Sequence, residues 1–317
     1  MNKFPHLNPH GTPAFKDSQL SKVTELIRSW DGKETVSNFG LLGLPLSKPS
    51  ISHSGACFAP TIIRKALQSY STYAIEEDVD LNNTITDFGD VAMHVTSVAE
   101  SNKRIKDALS SILSTHNSMI PIILGGDHSV TAPSVDAFSK VKGNIGIIQF
   151  DAHHDLRNLD DGGPSNGTPF RQLIEGGHLK GKHLLQIGIR NFSNSRNYFD
   201  YAKENEVTVL TMQQVNELSL KNVINDWLRN VKSEVDAIYV SVDMDVLDQA
   251  YAPGCPAIGP GGMTSETLLD AIRHLGTLEE VQAIDIVEID PTLDFRDMTS
   301  KVAAHVILNF LLGKQKK

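Results

Sequence analysis

A chain of 317 residues with 40% hydrophobic and 21% charged residues has an ordinary globular composition and can bury a sizeable core. A formal net charge of −9 disfavours nucleic-acid backbones and anionic membranes, and the only clear basic run, residues 314–317, reads as a solvated end. Two cysteines, Cys57 and Cys255, are too few for a disulfide framework and lack zinc-ligand spacing, and no apolar run approaches the roughly 20 residues that cross a bilayer.

Residues 1–11 lack the basic-then-apolar layout of a secretion signal, which points to a cytoplasmic protein. No repeat, low-complexity tract or flexible linker marks a boundary, so residues 1–317 are read as one domain. In chain order, short apolar runs predict strands over 39–44, 84–88, 120–124, 145–150, 183–189, 207–211, 237–242 and 281–287. Helical periodicity falls over 99–114, 223–231, 265–275 and 300–312, and Pro60 reads as a proline in the first turn of another helix. This alternation predicts a parallel sheet with helices on both faces. The polar residues of interest follow the strands directly, where loops converge on ligands in open parallel sheets.

Three strand ends stand out. Leu124-Gly125-Gly126-Asp127-His128-Ser129 offers His128 after a tight turn, which alone is weak evidence for a metal site. In Phe150-Asp151-Ala152-His153-His154-Asp155-Leu156-Arg157, persistence of strand geometry puts Asp151, His153 and Asp155 on one side and a structural His154 on the other. A polar helix-capping turn is the bland alternative, but burying two carboxylates is costly unless a cation compensates. Ser241-Val242-Asp243-Met244-Asp245 adds two more oxygen ligands on a shared side. Four carboxylates and two imidazoles carry more charge than one ion requires and suit two divalent ions; oxygen-rich ligation without cysteine favours manganese, with iron, cobalt and zinc as the alternatives. Such a pair can share and activate a hydroxide, so no serine or cysteine nucleophile is needed.

These segments resemble the ureohydrolase family of the arginases and agmatinases over nearly the whole chain. The resemblance implies a three-layer α/β/α fold with a central eight-stranded parallel sheet. It also implies a dimanganese centre in which His128, Asp151, Asp155 and Asp243 hold one ion, and Asp151, His153, Asp243 and Asp245 the other. Arginases and agmatinases carry a histidine before Gly-x-Pro where this chain has Asn166-Gly167-Thr168-Pro169-Phe170-Arg171. The acidic residues that arginases place after the fifth strand are missing from Arg190-Asn191-Phe192-Ser193. These strings, with Asp294-Phe295-Arg296-Asp297-Met298-Thr299, are most similar to the formimidoylglutamase branch. That implies hydrolysis of N-formimidoyl-L-glutamate to L-glutamate and formamide, in histidine degradation, by a hydroxide bridging the two ions.

Such a substrate has two carboxylates, for which Arg157 is the first candidate and Arg190 the second, with Asn166 in the same pocket. The resemblance gives Glu288 the amidine nitrogen and Asp155 the proton carried to the departing amine. Asp127 is expected to orient His128 by a hydrogen bond. Residues 52–55 read as a pocket wall or an ordinary loop, and Arg171 and Arg296 as site residues or structural ion pairs. Ureohydrolases usually form trimers or hexamers, which implies a homo-oligomer. The alternatives are a relative that releases urea from a guanidine and a non-catalytic metal-binding regulator, although a regulator is expected to have lost ligands and all six are present.

Overall fold

The structure, a computed structural model, describes residues 17–32 and 36–315. The segment read as lacking a leader, residues 1–11, and the last two residues of the basic tail, 316–317, lie outside them. The strands in chain order are β1 (Ile27–Ser29), β2 (Phe39–Gly43), β3 (Tyr73–Ala74), β4 (Val79–Asp80), β5 (Ile85–Asp90), β6 (Ile120–Leu124), β7 (Ile145–Phe150), β8 (Leu184–Ile189), β9 (Thr208–Thr211), β10 (Ala237–Asp243) and β11 (Val281–Val287). Nine form one sheet in the order β1-β5-β2-β6-β11-β10-β7-β8-β9, every pair parallel, while β3 and β4 make a small antiparallel hairpin.

All eight predicted strands are present. The ninth, β1, extends the expected sheet at its edge, and its half-buried Ile27 and exposed Arg28 and Ser29 give no apolar run to detect. The helices are α1 (Ala59–Leu67), α2 (Val98–Thr115), α3 (Thr131–Lys142), α4 (Pro169–Glu175), α5 (Arg196–Glu204), α6 (Met212–Glu217), α7 (Leu220–Val231), α8 (Ser265–Thr277) and α9 (Met298–Lys314). The five predicted helices are α1, α2, α7, α8 and α9. Among those not foreseen, α3 is buried on every side from Thr131 to Phe138, which removes the polar face that periodicity depends on.

Alternation along the strands divides the core. Ile238, Val240 and Val242 of β10 pack with α1, α6, α7, α8 and α9, whereas Ala237 and Tyr239 pack with α2, α3 and α4 on the opposite face. The result is a three-layer α/β/α fold. No helix among the described residues is long and apolar enough to cross a membrane. Because β11 and β10 lie between β6 and β7, four strands from distant parts of the sequence stand side by side and deliver their carboxyl ends to one place.

Candidate metal centre

His128 follows β6, Asp151 follows β7, Asp243 closes β10 and Glu288 follows β11. At Gly126 the chain presses on its neighbour so closely that a Cβ would run into the Leu46 backbone. This tight passage carries His128 over the strand ends. Its Nδ1 lies 3.2 Å from Asp151 Oδ2, 2.9 Å from Asp155 Oδ2 and 3.2 Å from Asp243 Oδ2. Beside it, His153 Nδ1 lies 2.9 Å from Asp245 Oδ2 and 3.4 Å from Asp151 Oδ1. Two ligand groups result, His128 with Asp151, Asp155 and Asp243, and His153 with Asp151 and Asp245. Asp151 belongs to both, one oxygen facing each. Asp243, which the resemblance gives to both ions, groups with His128 alone at this spacing, and its Oδ1 accepts the Asp245 backbone N–H (2.8 Å).

The convergence does not arise from continued strand alternation. The β7 strand stops at Phe150, Asp151 Oδ1 accepts the His153 backbone N–H (2.6 Å), and Asp155 sits at φ +51°. Local side-chain turns and one left-handed residue therefore bring the ligands together. Glu288 is likewise left-handed, at φ +60°.

The residues fit a cation by their own chemistry. His128 Nδ1 is buried without a hydrogen-bond partner and faces three carboxylates. Without a cation the crowding perturbs several of these groups. Burial, then the Asp245 and Asp151 charges, push the Asp243 carboxyl well above its usual range. Burial and Asp151 raise Asp155 to about 6, while the Asp245 charge raises His153 to about 12. A hard divalent cation relieves this repulsion, and an oxygen-rich set with two imidazoles suits manganese.

The ligands are supported by residues that are not themselves ligands. His128 Nε2 meets Ser241 Oγ at 2.9 Å, and Ser241 donates to Asp285 Oδ1 (2.7 Å). Asp127, expected to orient His128, instead accepts the Ser129 backbone N–H (3.0 Å) and hydroxyl, so it shapes the turn and leaves the imidazole to Ser241. Gln149 donates to Asp151 Oδ2 (2.7 Å) and is itself held by Gln186 (2.7 Å), whose Oε1 lies 2.6 Å from His154 Nδ1. His154 thus faces away from the ligands, as expected. An acid in the middle of an apolar strand, Asp285 between Ile284 and Ile286, was the sequence signal available for this support.

A cavity opens over the cluster, lined by His153, Asp155, Asp243, Asp245 and Glu288 together with Arg157, Asn166, Ser193, Asn194 and Tyr198. Burial and the nearby Asp127 raise Glu288 to about 8. Its Oε1 accepts the His128 backbone N–H (2.8 Å) and Asn166 Nδ2 (3.0 Å). Asn166 Oδ1 also accepts the Ile51 backbone N–H (3.1 Å), tying the wall that contains Ile51 and Ser52 to Glu288. The Arg157 guanidinium lies 5.7 Å from the Tyr198 ring centroid, and among the described residues it has no carboxylate partner.

Arg190 is placed differently from the expectation. It does not line this cavity, and its guanidinium is buried against backbone, donating to Asp245 O (2.7 Å) and Gly259 O (2.8 Å). It braces the Asp245 turn from behind. Arg171 pairs with Glu175 (2.6 Å) and lies over Tyr201, and Arg296 is exposed away from the cavity.

A His/Asp cluster at the central strand ends of a three-layer α/β/α fold makes a candidate metal centre, and the chain's similarities to known proteins make it a hydrolase. The sequence model of the arginase family matches residues 37–313, and the chain belongs to that family. It is 58% identical over 315 residues to a formimidoylglutamase of Halalkalibacterium halodurans, covering 99% of this chain and 98% of the relative. The crystal structure of formimidoylglutamase from Bacillus subtilis superposes with a TM-score of 0.95 at 48% identity, covering 99% of this chain and 98% of that one. An agmatinase of Bacillus subtilis is 33% identical over 306 residues, covering 94% of this chain and 98% of the relative.

Proposed function

We propose that this chain is a cytoplasmic, homo-oligomeric formimidoylglutamase of histidine breakdown, hydrolysing N-formimidoyl-L-glutamate to L-glutamate and formamide with two manganese ions. The observation that carries the reading is one cavity joining the His/Asp cluster, the Glu288 carboxylate and an Arg157 guanidinium without an acidic partner. The fit of near-full-length relatives named for this activity adds to it.

His128, Asp151, Asp155 and Asp243 would hold one ion, and Asp151, His153 and Asp245 the other, with Asp243 also given to the second by the family resemblance. When bound, two such ions would supply Lewis acidity and activate water for attack. The protein positions the rest. Glu288, fixed through Oε1 by Asn166 and the His128 backbone, presents its other oxygen to the N–H groups of the cationic formimidoyl group. Arg157 takes a substrate carboxylate and supplies local positive charge in an acidic chain. As the C–N bond to glutamate breaks and a C–O bond replaces it, Asp155, at the cavity wall, passes a proton to the departing amine.

The test is release of formamide and glutamate from N-formimidoyl-L-glutamate by manganese-loaded protein, with urea release from arginine, agmatine and guanidinobutyrate measured alongside. Formamide without urea is expected. Urea from a guanidine, or no turnover, would overturn the assignment.

A further inference from the structure

Asp285 lies in the middle of β11, fully buried, opposite Ser241 of β10 in the parallel register. Three hydroxyls close on it: Ser241 Oγ to Oδ1 (2.7 Å), and Thr131 Oγ1 (2.7 Å) and Tyr239 OH (2.8 Å) to Oδ2. A carboxylate only accepts, so each hydroxyl directs its one proton at it. With that proton committed, Ser241 Oγ can only accept from His128 Nε2, which must then carry the imidazole hydrogen. Nδ1 is left as a bare lone pair. That atom is the one buried without a partner and aimed at Asp151, Asp155 and Asp243.

We infer that Ser241 and Asp285 are positioning residues that fix the His128 tautomer and thereby govern occupancy of the His128 metal position, leaving the His153 position independent. The inference rests on the reading that the cluster holds two divalent ions. The two histidines differ physically. His128 is 1% exposed and held on its far nitrogen, whereas His153 is 28% exposed and, among the described residues, has no hydrogen-bond partner on its far nitrogen. A histidine whose far nitrogen is held this way loses about 10- to 100-fold in metal affinity when the support is removed. Only one of the two positions has such a support.

The experiment is manganese titration of the full-length wild type and of Ser241→Ala, Asp285→Asn and Tyr239→Phe, followed by electron paramagnetic resonance, with thermal melting of each. Ser241→Ala removes the acceptor. Asp285→Asn can present an amide N–H that turns the Ser241 proton onto Nε2, favouring the tautomer whose Nδ1–H blocks a cation. Tyr239→Phe loosens Asp285 at its other oxygen and keeps the Ser241 contact. The wild type is expected to show the signal of a coupled manganese pair. Ser241→Ala and Asp285→Asn should show an isolated bound ion until manganese is raised about 10- to 100-fold, while Tyr239→Phe keeps the pair.

A coupled pair forming in Ser241→Ala and Asp285→Asn at the wild-type manganese concentration overturns the inference. So does loss of manganese that simply tracks the fall in melting temperature across all three variants. If the wild type itself binds no pair, the two-ion reading fails and the inference falls with it.

Discussion

Arg157→Met asks whether the cavity was built for an anion. Methionine preserves an apolar stem along Tyr198 and the space at Gly167, where a Cβ would lie only 2.6 Å from Arg157 Cδ, and removes only the charge and the donors. A hydrogen bond to a charged group contributes about 1.5–3 kcal/mol when sheltered, and an exposed ion pair about 0.2–1 kcal/mol. Arg157 is exposed but faces a cavity whose floor is buried, so about 1–2 kcal/mol is reasonable. At about 1.4 kcal/mol per tenfold this is a loss of roughly 5- to 30-fold in kcat/KM, appearing mainly in KM. Glutamate release from N-formimidoyl-L-glutamate would be compared with turnover of N-formimidoyl-glycinamide, which has no carboxylate. Only the anionic substrate should suffer, and its wild-type KM should rise with added salt while the variant's stays flat. An equal loss on both substrates, carried by kcat, would mean that Arg157 shapes the metal loop and does not bind substrate.

Glu288→Gln keeps the shape and the Asn166 contact but removes the carboxyl that can ionise against the cationic formimidoyl group. Steady-state rates should fall about 100-fold or more with manganese uptake unchanged, and near-normal turnover would remove Glu288 from the chemistry. In the metal-free protein the Asp245 charge raises His153 to about 12, so that imidazole is protonated at pH 7, while burial pushes the Asp243 carboxyl well above its usual range. Manganese must displace such protons, so calorimetry in two buffers of different ionisation enthalpy should report net proton release on binding; a value near zero would contradict this state of the ligands. Far from the centre, burial pulls Lys314 down to about 8, so the folded state disfavours its ammonium. The penalty is complete below pH 8 and fades as pH rises towards 10.5, and Lys314→Met should therefore be more stable by about 1–2 kcal/mol at pH 7 and lose that advantage at pH 10.5 in thermal melts.

The sequence made the sheet readable because its central strands are buried on both faces and appear as nearly continuous apolar runs such as Ile145 to Phe150, interrupted only at Gln149. Edge strand β1 lacks that burial, and α3 lacks a polar face, so neither left a pattern. The acidic strand ends were legible as clusters of residue types, but their convergence came from turns at Asp151 and Asp243 that alternation does not predict. Contacts between distant segments were hidden for the same reason. Ser241 reads as an ordinary strand residue until parallel pairing sets it against Asp285, and Arg190 reads as a candidate for the pocket until the fold presents it with the Asp245 and Gly259 carbonyls.

The insertion of β10 and β11 between β6 and β7 also governs how the enzyme can be made. During synthesis, His128, Asp151, His153 and Asp155 emerge long before Asp243, Asp245 and Glu288, and the strands carrying the early ligands cannot yet be neighbours through their missing partners. A nascent chain halted before β11 carries all six candidate ligands but leaves β6, which leads to His128, without the strand that joins it to β10, and exposes two unpaired apolar strand edges. Assembly of the His/Asp cluster therefore waits on β11, and chains cut short before it are expected to be open to proteolysis.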